Sequence, residues 1–192
     1  ASDTICRYFL VPYLNKFHKL YPNVHIKVTN STSIDCARIL ENGQVDFIIT
    51  NYPNSGLLNT HSVRAIREFR DVFVASADHF PLRDKTFTLA ELLDYPIMML
   101  DRKSTTSEFL HSMFQKSHLD LVPEIELSSN DLLIDLARIG LGIAFVPDFC
   151  IPKDEKQLFI LKLSETLPVR LVVVHNENLP VSQAAKQFMD ML

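Results

Sequence analysis

Glycine is scarce, with four in 192 residues. That excludes a glycine-rich loop wrapped around a phosphate. Gly140-Leu141-Gly142 reads instead as a helix end feeding a buried strand. Cysteine is also sparse, and Cys6, Cys36 and Cys150 are too few and too scattered for a disulfide framework. No Cys-x-x-Cys or Cys/His pair has metal-site spacing, and the pattern suits a reducing cytoplasm. No apolar run approaches the roughly 18 residues of a membrane span. No basic segment leads into an apolar one, so no signal peptide is visible. Positive charge is not in excess: 19 Lys and Arg against 23 Asp and Glu give a formal net charge of -4. This segment is therefore not expected to grip DNA or an anionic membrane by itself. There is no Gly-x-Ser-x-Gly elbow and no His-Glu-x-x-His. His18, His25, His61, His79, His111, His118 and His175 show no ligand spacing. No catalytic residue, metal or cofactor is expected, and the chain does not read as an enzyme.

The composition, 47% hydrophobic and 22% charged, is that of an ordinary globular chain. Leu10, Leu14, Phe17 and Tyr21 form one apolar stripe, so Thr4 to Tyr21 reads as a helix that Pro12 starts or kinks. Val24, Ile26 and Val28 alternate with polar residues and predict a strand over 24–30. A helix with Ile34, Ala37 and Leu40 follows, ended by a left-handed cap at Gly43. Val45 to Thr50 reads as a buried strand. Residues 51–68 read as a loop. Further strands are expected at 69–76, 97–100, 125–127, 141–147, 158–163 and 169–175. Thr88 with Glu91, and Thr105 with Glu108, have capping-box spacing. Helices are expected after each, and another with Leu132, Leu133, Leu136 and Ile139 inward. Ser182 caps a last helix carrying Ala185, Phe188 and Leu192. The alternation predicts an α/β fold with mainly parallel sheets. Strand, hydroxyl run, helix and strand occur around 24–50 and again around 97–147, as two similar lobes would produce.

The hydroxyl side chains are the most informative feature. Ser2 and Thr4, Ser31 to Ser33, Ser104 to Ser107, and Ser128 with Ser129 each fall between a strand end and a helix start. Ligands of open α/β sheets bind outside the carboxyl ends of the strands. Helix starts add unpaired N–H groups and partial positive charge, so four of them can converge on one anion. Each run alone is equally a plain helix cap. Asp101-Arg102-Lys103 reads as a solvated loop. Cys6 and Cys36, near helix starts, are either activated thiols or small packed residues.

The sequence resembles the effector-binding domain of LysR-type transcriptional regulators along almost its whole length. The resemblance is carried by Ala1-Ser-Asp-Thr-Ile with Leu10-Val-Pro12-Tyr-Leu14, then Phe17-His-Lys-Leu-Tyr-Pro22. Leu40-Glu-Asn-Gly43-Gln-Val-Asp46-Phe-Ile-Ile, Val74-Ala-Ser-Ala-Asp-His-Phe-Pro81-Leu and Leu136-Ala-Arg-Ile-Gly140-Leu-Gly-Ile-Ala-Phe-Val-Pro147 follow in order. It implies a two-lobed, periplasmic-binding-protein-like domain joined by two crossover strands. Lobe I would take 1–73 and 176–192, and lobe II 74–175. It implies a small, often anionic effector in the interlobe cleft and a homodimer or homotetramer in the cytoplasm, off the membrane. DNA would be read by an N-terminal winged helix-turn-helix that this chain lacks, and the opening at Ala1 suggests a part cut away. Effector contacts implied by position are Ser2, Asp3, Thr4, Ser31, Thr32, Ser33 and Asn51 from lobe I. Thr105, Thr106, Ser129, Phe145, Val146 and Pro147 would come from lobe II. Asp3 departs from the expected pattern, since its charge would repel an anion or accept from an amine. Peroxide-sensing members use a cysteine pair in lobe II, where this chain has only Cys150. A solute-binding protein serving a transporter is the alternative on the same fold.

Overall fold

The computed structural model describes residues 1–57, 63–176 and 181–192; His61 and part of the expected 51–68 loop lie outside them. The chain opens with α1 (Asp3–Ile5), a π-helical stretch (Cys6–Leu10), α2 (Val11–Leu20), α3 (Ser33–Glu41), β1 (Ile48–Tyr52), β2 (Arg64–Phe69) and β3 (Asp71–Ser76). It continues through β4 (Thr86–Phe87), α4 (Leu89–Leu92), β5 (Ile97–Leu100), α5 (Thr105–Lys116), β6 (Ile125–Leu127) and α6 (Asn130–Arg138). Then come β7 (Ile143–Pro147), a 3-10 turn (Asp148–Cys150), β8 (Leu158–Ile160), β9 (Lys162–Leu163), β10 (Arg170–His175) and α7 (Gln183–Met191). No helix among the described residues is long and apolar enough to cross a membrane.

The chain divides into two units, Ala1–Glu68 with Arg170–Leu192, and Phe69–Val169. It crosses between them twice. Residues 69–73 thus fall in the second unit and 170–175 in the first, the reverse of the sequence expectation for those stretches. The reason is strand pairing: β3 pairs with β7 and β8, whereas β10 pairs with β1.

The first unit holds a three-stranded sheet in the order β1-β10-β2, with β1 and β10 antiparallel. The expected first helix is present but not uniform. Pro12 has no N–H and its ring crowds the turn before it, and a π-helical stretch directly precedes the α-helix restarted at Val11. Its stripe packs inward at Phe17, whose ring lies 5.1 Å from that of Phe188 on α7. Gly43 closes α3 with φ +65, a left-handed conformation that costs glycine nothing. Two expectations fail here. No strand forms over 24–30, and Ile26 and Val28 are exposed. The region expected to be loop contains β2, which alternation did not reveal because it is exposed except at half-buried Ile66 and buried Phe69. The expected 45–50 strand lies slightly later, at Ile48–Tyr52.

The second unit holds a five-stranded sheet, β6-β5-β7-β3-β8, and a two-stranded one, β4-β9. β5 pairs in parallel with both β6 and β7, while β3 runs antiparallel to β7 and β8. The sheets are mixed rather than mainly parallel, because strands adjoining the crossovers run against their neighbours. The 69–76 strand divides at Arg70. All four residues of β5 are buried, as a central strand covered on both faces requires. Phe73, Phe87, Leu110, Phe114 and Phe145 anchor the core. Leu133, Ile134 and Ala137 form the buried stripe of α6, whereas Leu132 and Ile139, expected inward, are exposed. The Thr88/Glu91 capping box is formed in full, and the hydrogen bonds from the Thr88 N–H and hydroxyl hold the Glu91 carboxyl below its ordinary range. The expected Thr105/Glu108 box is not formed, because Ser104 takes the cap and Thr105 is already helical.

Candidate functional site

Six hydroxyl side chains cap helix starts among the described residues, and four of them, Ser2 and Thr32 in the first unit and Ser104 and Ser129 in the second, belong to the hydroxyl runs noted in the sequence. In the first unit the Ser2 Oγ accepts from the Ile5 N–H at 3.3 Å. Thr32 Oγ1 accepts from the Asp35 N–H at 3.1 Å and opens α3. Behind it Ser33 is buried, and its Oγ accepts from the Asn51 N–H at 3.5 Å. Asn54 Nδ2 donates to the Ser33 carbonyl at 2.7 Å, and Asn54 Oδ1 accepts from the Gly56 N–H at 2.9 Å. The start of α3 and the end of β1 are thereby held together. Thr50 and Asn51 sit at that strand end, buried, and among the described residues Thr50 Oγ1 and Asn51 Oδ1 have no partner. A buried polar atom left unpaired costs about 1–3 kcal/mol. The structure thus adds Thr50 and Asn54 to the positions read from sequence. In the sequence Thr50 is only a lone hydroxyl in an apolar run and Asn54 one residue of a turn-forming Pro53-Asn54-Ser55-Gly56, signals that burial alone gives meaning.

Asp3 is exposed and accepts from Asn30 Nδ2 at 3.2 Å, while the Cys6 thiol donates to Asn30 Oδ1 at 3.2 Å. Asp3 therefore has a neutral partner within its own unit. Burial pushes the Cys6 thiol up, and the positive charge of the nearby amino terminus only partly opposes this. Cys36 and Cys150 are buried. Ser31 and Thr4 are half-buried beside these helix starts.

In the second unit Ser104 Oγ accepts from the Thr106 N–H at 3.1 Å, and Ser129 Oγ accepts from the Leu132 N–H at 3.3 Å. Thr105, Thr106 and Ser107 fill the first turn of α5 and are all buried. Ser107 Oγ and His111 Nε2 have no partner among the described residues. Both residues line a polar cavity of about 340 Å³, together with Arg102, Glu108, Gln115 and Asp120. Ser107 and His111 were not among the expected contacts, although Ser107 belongs to the same hydroxyl run. Phe145 and Val146 lie inside the core, with the Phe145 ring 4.6 Å from that of Phe73. Their side chains serve packing, and Pro147 ends β7. No group of three His, Cys, Asp or Glu among the described residues is placed to hold a metal ion.

Each α/β unit thus carries hydroxyl-capped helix starts, with buried polar side chains beside them. The sequence matches the LysR substrate binding domain family over residues 1–192, and the chain belongs to that family. The chain spans only part of the length of the curated relatives it matches. It is 24% identical over 196 residues to the HTH-type transcriptional activator CmpR of Synechocystis sp., covering 100% of this chain and 64% of CmpR. It is 28% identical over 161 residues to the HTH-type transcriptional regulator MetR of Escherichia coli K12, covering 79% of this chain and 47% of MetR. The fold matches the Synechocystis PCC6803 CcmR regulatory domain in complex with 2-PG, with TM-score 0.86 and 22% identity, over 98% of this chain and 91% of that one. It also matches the effector-binding domain of QuiR in complex with shikimate, with TM-score 0.81 and 17% identity, over 98% and 90% of the two chains.

Proposed function

We propose that this chain senses a small anionic metabolite and passes the signal to DNA-binding parts of a larger LysR-type regulator, without catalysing a reaction. The carrying observation is the set of hydroxyl-capped helix starts, Ser2 and Thr32 in one unit and Ser104 and Ser129 in the other. A helix start presents free N–H groups and about half a positive charge, which favours a carboxylate or phosphate. Buried hydroxyls and amides nearby hydrogen-bond the rest of a polar ligand. Ser2, Thr4, Ser31, Thr32, Ser33, Thr50 and Asn51 form the contacts of the first unit. Thr105, Thr106, Ser107 and Ser129 form those of the second, with the backbone at the Phe145–Pro147 strand end. Asp3, paired with Asn30, orients the first helix start rather than meeting the anion. The ligands of two fold neighbours, 2-PG and shikimate, fit this class in size and charge.

The regulatory step is a population shift. A ligand that binds one arrangement of the oligomer better than another biases where the DNA-binding parts sit. A cytoplasmic homodimer or homotetramer contacting DNA outside this chain fits the regulators it resembles. Calorimetric titration of the chain with shikimate and with 2-PG tests the reading, with Thr32→Ala and Thr106→Ala as variants. A bound anion should lose at least about tenfold in affinity in Thr32→Ala, the effect of roughly one lost hydrogen bond to a charged group. Unchanged affinity in both variants would remove these helix starts from the site.

A further inference from the structure

The polar cavity of about 340 Å³ beside α5 lies wholly within the second unit. At about 100° per residue, Ser107, Glu108, His111 and Gln115 fall on one face of that helix. Thr105 and Thr106 fall outside this sector. Ser107 is the one group the cavity shares with the anion contacts proposed above.

A turn closes each end of the face. Before α5, the Ser104 N–H donates to the Asp101 carbonyl and the Lys103 N–H to Asp101 Oδ1, both at 3.0 Å, with Arg102 between them. After α5, His118 takes a left-handed φ of 56. The His118 N–H donates to the Gln115 carbonyl and the Leu119 N–H to the Phe114 carbonyl, both at 2.9 Å. This is a Schellman turn, and it returns Asp120 and Leu121 to the side of the helix, where they line the cavity.

The floor of the cavity is polar and unsatisfied. Ser107 is 1% exposed, and its Oγ and His111 Nε2 have no partner among the described residues. A polar atom held out of water without a partner is costly, so both favour a hydrogen-bonding occupant. The rim carries charge of both signs: Arg102 at one end, Glu108 beside Ser107, and Asp120 at the far end. The levels of Ser107 and Gln115 are about 12 Å apart along the axis, so the occupant is elongated. A guanidinium in the lining repels a metal ion, and no group of three His, Cys, Asp or Glu among the described residues is placed to hold one.

We propose that this cavity is a second ligand site, for a basic amino acid. The ligand's carboxylate meets Arg102 and the Ser107 hydroxyl, its α-ammonium meets Glu108, and its side-chain ammonium meets Asp120. His111 Nε2 adds a further hydrogen bond. One negative and two positive charges on the ligand thus face one positive and two negative charges on the rim.

The test is calorimetric titration of the 192-residue chain with L-lysine, L-norleucine and cadaverine. L-norleucine lacks the side-chain ammonium, and cadaverine lacks the carboxylate. L-lysine should bind at least about tenfold tighter than either, the effect of roughly one charged hydrogen bond. Asp120→Asn should bring L-lysine down to the affinity of L-norleucine, and Arg102→Gln should bring it down to that of cadaverine. Both residues are exposed, so neither substitution threatens the fold. No binding of L-lysine at millimolar concentration would overturn the proposal and leave water as the occupant. Binding that both variants leave intact would also overturn it. So would binding that Thr32→Ala abolishes, which would place L-lysine with the anion contacts. The anion reading survives any of these failures, because Thr32 and Thr106 take no part in this cavity.

Discussion

Both units mix helices and strands, yet among the described residues the main sheet of one has five strands and that of the other three. In the second unit β5 is buried along its whole length between parallel neighbours. In the first, residues 24–30 form no strand, and Ile26 and Val28 are exposed. The difference teaches that alternation in the sequence specifies a strand only together with the pairing that accepts its hydrogen bonds.

The largest expected effect separates the units through their cores. Phe145→Ala should cost about 3–5 kcal/mol in urea unfolding, because its ring is enclosed and the packed second unit cannot collapse around the cavity. Ile49→Ala, which lines a cavity of about 180 Å³ in the first unit, should cost about 2 kcal/mol, near the bottom of the range for such truncations. Equal losses would erase the expected difference in packing between the two units. The two left-handed glycines come next. An added Cβ at Gly140, with φ +79, would meet the His79 ring at 2.4 Å, whereas one at Gly43, with φ +65, meets nothing within 4 Å. Gly43→Ala should cost about 1–2 kcal/mol from backbone conformation alone, and Gly140→Ala measurably more. Thermal unfolding that ranks them the other way would contradict this packing.

Cap removal should sharpen the comparison by showing where the units agree. Thr32→Ala and Ser129→Ala should each cost about 1 kcal/mol, since each removes one cap hydrogen bond. The smallest effect is electrostatic and confined to the second unit. Burial opposes ionisation of Glu155, but hydrogen bonds from Arg138 and from the Gln157 and Leu158 N–H groups outweigh it and hold its carboxyl below the ordinary range. A carboxyl lowered on folding stabilises above its ordinary value and loses that contribution as pH falls through the lowered one. Glu155→Gln should therefore lower stability near neutral pH, converge with the wild type in acid, and so flatten the acid side of the stability profile.

Much of this was legible in the sequence. The caps at Ser129 and Ser182, the Thr88/Glu91 box and the Gly43 turn depend on local chemistry and appear where their residues stand. The β2 strand was hidden because its side chains face solvent, and the π-helical stretch left no sign beyond Pro12. The inward face of α6 is set by tertiary packing, which chose Leu133, Ile134 and Ala137 over the neighbouring Leu132 and Ile139. For the site, the hydroxyl runs marked the helix starts. Thr50, Asn54 and Ser107 emerged only once burial was known, because a polar residue gains meaning there from what surrounds it.

The central claim is that these helix starts hold a small anion. Thermal unfolding of the wild-type chain and of Thr32→Ala, across rising concentrations of small carboxylates and phosphates including shikimate and 2-PG, tests it most directly. A ligand that binds only the folded state raises its stability by mass action. At least one anion should raise the wild-type midpoint progressively with concentration, with the rise largely lost in Thr32→Ala. A flat wild-type midpoint across every anion, or an undiminished rise in Thr32→Ala, would contradict it.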